Sequence, residues 1–262
     1  MVSMRTKSKA YCFADGINLL SDTLNGFLKP MQTQVEEFAE FVRSKPELAG
    51  GFNVMGLSQG NLILRAYISL YNDPPVFNFI SIHGPHAGVA SVPQCSPVPN
   101  TVLTEVCSLL DELIGSEVYT EEIQSHIAQS NYLRLPTQIV NYLAHCAFLP
   151  NILDKANENP TIRKNFSLLN SLALIMANED TMLDPKETAW FGAYEDGGWD
   201  KVISVEELTF YESTGLKDLD KRNRVTRIKT AGNHLQFTQA ELNSWIDRFF
   251  LGQAAKEVKA HV

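Results

Sequence analysis

The chain has 262 residues, of which 44% are apolar and 20% charged, and a formal net charge of −8. That mixture excludes a disordered polymer and suits one α/β domain with a buried core. The negative balance, with no basic stripe, argues against nucleic acid as a partner. The longest apolar runs, such as residues 172–177, are far shorter than a membrane span.

Near the N-terminus, basic residues are followed by a stretch that Asp15 and Gly16 interrupt, so no secretory signal is read there. None of the four cysteines, Cys12, Cys95, Cys107 and Cys146, forms a C-x-x-C pair, so no zinc site is expected. One usable glycosylation sequon is present, Asn165-Phe166-Ser167.

In chain order, residues 9–14 predict a short strand. Residues 31–49 follow with Val35, Phe38, Phe41 and Val42 at helical spacing. The compact apolar run at residues 52–57 predicts a buried strand. Leu62, Ala66, Ser69 and Leu70 then mark one face of a helix that Asp73-Pro74-Pro75 stops. A further strand at residues 76–84 completes a βαβαβ order, the pattern of a mostly parallel sheet with helices on both faces. From residue 87 to 166 strand character is scarce. Prolines cluster at Pro93, Pro97 and Pro99, and Leu103, Val106, Cys107, Leu110, Leu113 and Ile114 form an apolar helical stripe. This insert either covers an active site as a lid or simply packs against the body. Strands are expected again at residues 171–180, 207–214 and 224–234, and a closing helix at 238–252. The whole chain, 1–262, reads as one domain with the helical insert at 87–166 inside it.

One motif carries chemistry. Gly56-Leu57-Ser58-Gln59-Gly60 lies where the second predicted strand meets the second predicted helix. In a sharp strand-to-helix turn a serine hydroxyl projects above the sheet, and the positions two before and two after it need small residues. By chance alone a chain this long holds G-x-S-x-G about one time in ten, and the flanking elements lower that chance. The amide of Gln59 can donate to a developing oxyanion. A serine needs a base, and the base an orienting carboxylate. Of the six histidines, His83, His86, His126, His145, His234 and His261, only His234 follows the last predicted strand and precedes the closing helix. For the acid, Asp180 directly follows a strand, with Asp184 as the second candidate.

At these residues the chain resembles the palmitoyl-protein thioesterase family, its "GLSQGNLI" and "GPHAGVASVP" resembling plant-like members more than animal ones. The resemblance runs from about residue 11 to 245. It is carried by "GFNVMGLSQGNLILRA", "NFISIHGPHAGVASVPQC", "EDTMLDPKETAWFG", "TGLKDLD" and "GNHLQF". It implies an α/β-hydrolase that removes fatty acyl groups from protein cysteines, with Ser58 as nucleophile, Asp180 as acid, His234 as base and the Gln59 amide as one oxyanion donor. It also implies a disulfide between Cys95 and Cys107, no cofactor or metal, S-acylated proteins or fatty acyl thioesters as substrates, a monomer, and a lysosomal, vacuolar or secreted location. The family's first strand and its His-Gly loop, source of the second oxyanion donor, have no counterpart in the opening residues. A loss of activity, an exposed sheet edge and, if the start is genuine, a cytoplasmic location are therefore expected. The residues alone leave two other readings open: a general serine esterase or lipase, and a weakly active acyl-binding pseudo-enzyme.

Overall fold

The structure is a computed structural model and describes residues 2–14, 16, 25–91 and 117–252. Its centre is a four-stranded parallel sheet in the order β1-β2-β3-β6, formed by β1 (Phe52–Leu57), β2 (Val76–Ile82), β3 (Ser171–Ala177) and β6 (Val225–Thr230). Among the described residues β1 pairs on one side only, so the strand that leads into Ser58 lies at the sheet's edge. A separate two-stranded hairpin joins β4 (Ala193–Tyr194) to β5 (Val202–Ile203).

The sheet is buried on both faces because its strands alternate between two apolar clusters. Along β3, Leu172, Leu174 and Met176 face one cluster, while Ala173 and Ile175 face the other. The first cluster is shared with helix α1 (Met31–Arg43), through Val35, Phe38 and Val42, and with helix α2 (Gly60–Leu70), through Leu62, Ala66 and Ile68. The second is closed by helix α4 (Gln239–Ile246) and the turn after it, through Trp245, Ile246, Phe249 and Phe250. Each fully buried Leu, Ile or Phe contributes about 1.5–3 kcal/mol by leaving water. Helix α3 (Pro160–Phe166) packs against α2.

Helix ends follow the residue chemistry. Thr238 and Glu241 form a capping box at the start of α4: the Glu241 amide donates to Thr238 Oγ1 at 3.2 Å, and the Thr238 amide donates to Glu241 Oε2 at 2.7 Å. After α2 the chain turns at Asn72, whose φ of 46° is left-handed and whose side-chain oxygen accepts from the Val76 amide at 2.9 Å.

Two expectations fail. Residues 9–14 form no strand; Tyr11 and Phe13 instead rest their rings on Phe38 and Phe41 of α1. Residues 207–214 contain the short helix Phe210–Ser213 rather than a strand, and Phe210 within it is buried. The described part of the predicted insert, 117–166, is built of short helical segments with no strand; its one sheet-like contact is the parallel bridge between Val89 and Leu133. The apolar stripe at residues 103–114 lies outside the described residues.

Arg65 of α2 joins this helical stretch to the body. It is fully buried, donating to the carbonyl of His86 and, at 2.8 Å, to that of Ile152, and its guanidinium lies 4.8 Å from the ring centroid of Phe191. Its partners among the described residues are carbonyls and a ring, not a carboxylate. Burial pulls its pKa down to about 9, partly offset by Tyr142 and Asp154.

Candidate active site

Ser58 sits between the end of β1 and the start of α2 with a φ of 47°, a conformation a non-glycine residue adopts only when its surroundings hold it there. Its amide donates to the carbonyl of Ile82 at 3.0 Å. Asn61 braces the turn from below: its side-chain amide donates to the carbonyls of Ser58 and Ile82 at 3.0 and 2.9 Å. Asn61 explains one glycine of the motif. A Cβ on Gly56 would come within 2.4 Å of Asn61 Oδ1 and 2.9 Å of Leu64 Cδ1. Gly60 is different: a Cβ there would meet nothing within 4 Å, so the expectation of crowding on both sides of the serine holds on one side only. The second crowded glycine is Gly84, where a Cβ would stand 2.7 Å from both Asn61 Cβ and Ser81 Oγ.

Three distant stretches meet above this turn. His234 Nε2 lies 2.9 Å from Ser58 Oγ, and His234 Nδ1 lies 2.8 Å from Asp180 Oδ2. The other carboxylate oxygen of Asp180 accepts from the amides of Met182 and Leu183, each at 2.9 Å. The Asp180 side chain is 1% exposed. Burial pushes its pKa up, but the hydrogen bond from His234 and the two amides outweigh it, and the net shift is downward. An ionised carboxylate accepts only, so it fixes the imidazole proton on Nδ1 and leaves Nε2 to accept from the serine hydroxyl.

Asn233 ties the two loops together. Its side-chain oxygen accepts from the Thr181 amide at 2.9 Å, and its side-chain nitrogen donates to Thr181 Oγ1 at 2.9 Å. Among the described residues no acceptor faces the Gln59 amide. The Gln59 side chain is anchored instead: its oxygen accepts from Gln129 Nε2 at 3.1 Å and Tyr132 Oη at 2.9 Å, and its nitrogen donates to the carbonyl of Gly26 at 2.7 Å.

Asp184, the second candidate acid, lies apart and accepts from Tyr194 Oη at 2.8 Å. His86 is buried against Ser81 Oγ at 2.7 Å and stacks on Phe191, and His126 is exposed beside Ser125. Cys12 and Cys146 are free thiols; Cys95 and Cys107 lie outside the described residues, as does His261. Ligand atoms of His83, Asp180 and His234 lie within 4.8 Å of one another, close enough to share a cation, but both nitrogens of each ring are already hydrogen-bonded.

The family model for palmitoyl protein thioesterase matches residues 2–234. The chain belongs to the palmitoyl-protein thioesterase family. It is 31% identical to palmitoyl-protein thioesterase 1 of Caenorhabditis elegans, over 90% of this chain and 78% of that one. It is 35% identical to palmitoyl-protein thioesterase 3 of Dictyostelium discoideum, over 78% of this chain and 68% of that one. The lysosomal thioesterase PPT2 of Homo sapiens shares 28% identity over 78% of this chain and 67% of its own length. Membership in this family makes the chain a thioester hydrolase by class, on a frame of parallel strands with helices on both sides. No helix among the described residues is long and apolar enough to cross a membrane.

Proposed function

We propose that the protein hydrolyses fatty acyl thioesters on S-acylated proteins through an acyl-serine intermediate, with Ser58 as nucleophile, His234 as base and Asp180 as its orienting acid. The observation that carries this is the unbroken line from Ser58 Oγ to His234 Nε2 at 2.9 Å and from His234 Nδ1 to Asp180 Oδ2 at 2.8 Å. His234 takes the hydroxyl proton as Ser58 Oγ attacks the thioester carbonyl carbon. The negative oxygen of the tetrahedral intermediate faces the Gln59 amide, which donates to it. Collapse breaks the carbon–sulfur bond, the cysteine sulfur leaves with the proton from His234, and the acyl group stays on Ser58. Water, deprotonated by His234, then attacks the acyl-serine, and fatty acid leaves as Ser58 regains its proton.

An apolar acyl chain is supported by two exposed leucines, each next to a reacting residue: Leu57, 47% exposed, precedes Ser58, and Leu235, 39% exposed, follows His234. The lysosomal name of the human relative supports a lysosomal location.

The test is fluorophosphonate labelling followed by turnover of a palmitoyl-cysteine peptide and its oxygen-ester counterpart. Expected is labelling at Ser58, its loss in Ser58→Ala and His234→Ala, and faster turnover of the thioester. Faster turnover of the oxygen ester would make the protein a general esterase, and an unlabelled Ser58 in folded protein would leave only acyl binding.

A further inference from the structure

His83 has no part in the reaction proposed above, yet it is fully buried beside it. It follows β2 with a φ of 50°, and its amide donates to the carbonyl of Ile175 in β3 at 2.9 Å. Its ring reaches across the sheet's carboxyl end. Nδ1 accepts from the amide of Leu235 at 2.8 Å, and Nε2 lies 3.1 Å from Oγ1 of Thr230, the last residue of β6. The ring centroid is 5.7 Å from that of His234 and 6.3 Å from that of Phe237.

A backbone amide can only donate, so Nδ1 must be bare. The ring proton therefore sits on Nε2 and donates to Thr230 Oγ1. Leu235, held by this bond, has a φ of 58°, which a branched side chain rarely adopts. A residue forced into that conformation immediately after His234 fixes where the His234 ring can point. Asn233 anchors the loop on the other side of His234, through Thr181.

We propose that His83 is a positioning residue: as a neutral imidazole it grips the Leu235 amide and so aims His234 at Ser58. The inference rests on the role given to His234 above. The groups facing His83 are His234 and Asp180, and the ring's pKa is lowered to about 4, by burial first, then by His234, against a raising effect of Asp180. The grip therefore persists in mildly acidic surroundings, where an ordinary histidine would gain a proton and lose its acceptor.

The experiment compares His83→Ala with His83→Asn in the full chain. Asparagine tolerates positive φ and carries an acceptor near the place of Nδ1; alanine does not carry one. Expected for His83→Ala is a roughly 10- to 100-fold fall in kcat and in the rate of Ser58 labelling, with KM little changed. His83→Asn should recover most of that loss. Equal kcat in parent and folded His83→Ala protein, or equal impairment of both variants in step with melting temperature, would overturn the proposal. A measurement on the parent guards against variants that do not fold. Long-range proton–nitrogen NMR should show His83 protonated on Nε2 alone between pH 5 and 8; a protonated Nδ1 overturns the grip. If Ser58 itself proves unreactive in the parent, the reading of the site fails instead, and the NMR result still decides the state of His83.

Discussion

At the scale of single residues, Asp180 performs two tasks with two oxygens. One receives the His234 ring and the other caps the amides of Met182 and Leu183. Asp180→Asn can keep the caps while turning a donor toward Nδ1. That drives the imidazole proton to Nε2, where it cannot accept from Ser58. The expected result is a kcat lower by roughly 10³- to 10⁴-fold with the melting temperature nearly unchanged, read by steady-state kinetics and thermal unfolding. The three residues proposed to react could be chosen from chain order and the ends of predicted strands, since a hydrolase of this kind needs a serine, then an acid, then a histidine, on successive loops. Their supports could not. Asn61, Asn233 and His83 act through contacts between residues 21 to 152 apart, and an isolated Asn or His in a sequence gives no sign of its partner.

At the scale of elements, the turn from β1 into α2 separates two glycines that look alike in the motif. Gly56→Ala forces a methyl group against Asn61 and Leu64, and a cost of about 1–3 kcal/mol in unfolding free energy is expected. Gly60→Ala meets open space at the first position of α2, so unfolding should be unchanged or favoured by up to about 1 kcal/mol in the folded state. Denaturant unfolding of the two variants tests the contrast; equal destabilisation would contradict the bracing by Asn61. Strands β1, β2, β3 and β6 and helices α1, α2 and α4 were legible because each carries its own apolar run or period. The stretch at residues 207–214 misled because Phe210 and Tyr211 suit a strand by propensity, while the chain there makes a single helical turn with Phe210 buried. The β4–β5 hairpin escaped notice because each of its strands has only two residues, too few for any alternation to be read.

At the scale of the whole molecule, buried neutral histidines set the response to acid. His83 titrates at about 4 when folded and near 6.5 when unfolded, and burial keeps His86 well below its ordinary range too. Between these values the unfolded chain binds more protons, so stability is full above about pH 6.5 and falls as pH drops toward 4. One such proton gives a slope of about 1.4 kcal/mol per pH unit. His83→Asn should flatten the profile by about that amount across this window, measured by denaturant unfolding at stepped pH; an unchanged slope would contradict a neutral buried ring. Asp180, lowered from 3.8, loses its contribution only at still lower pH. The tie made by Arg65 matters at this scale as well. Because its charge is answered by the backbone oxygens of His86 and Ile152 rather than by a side chain, no exchange of side chains can transfer that answer elsewhere. A chimaera that grafts a different stretch over 117–166 must therefore present a carbonyl where Ile152 now does, or else strand a cation in oil.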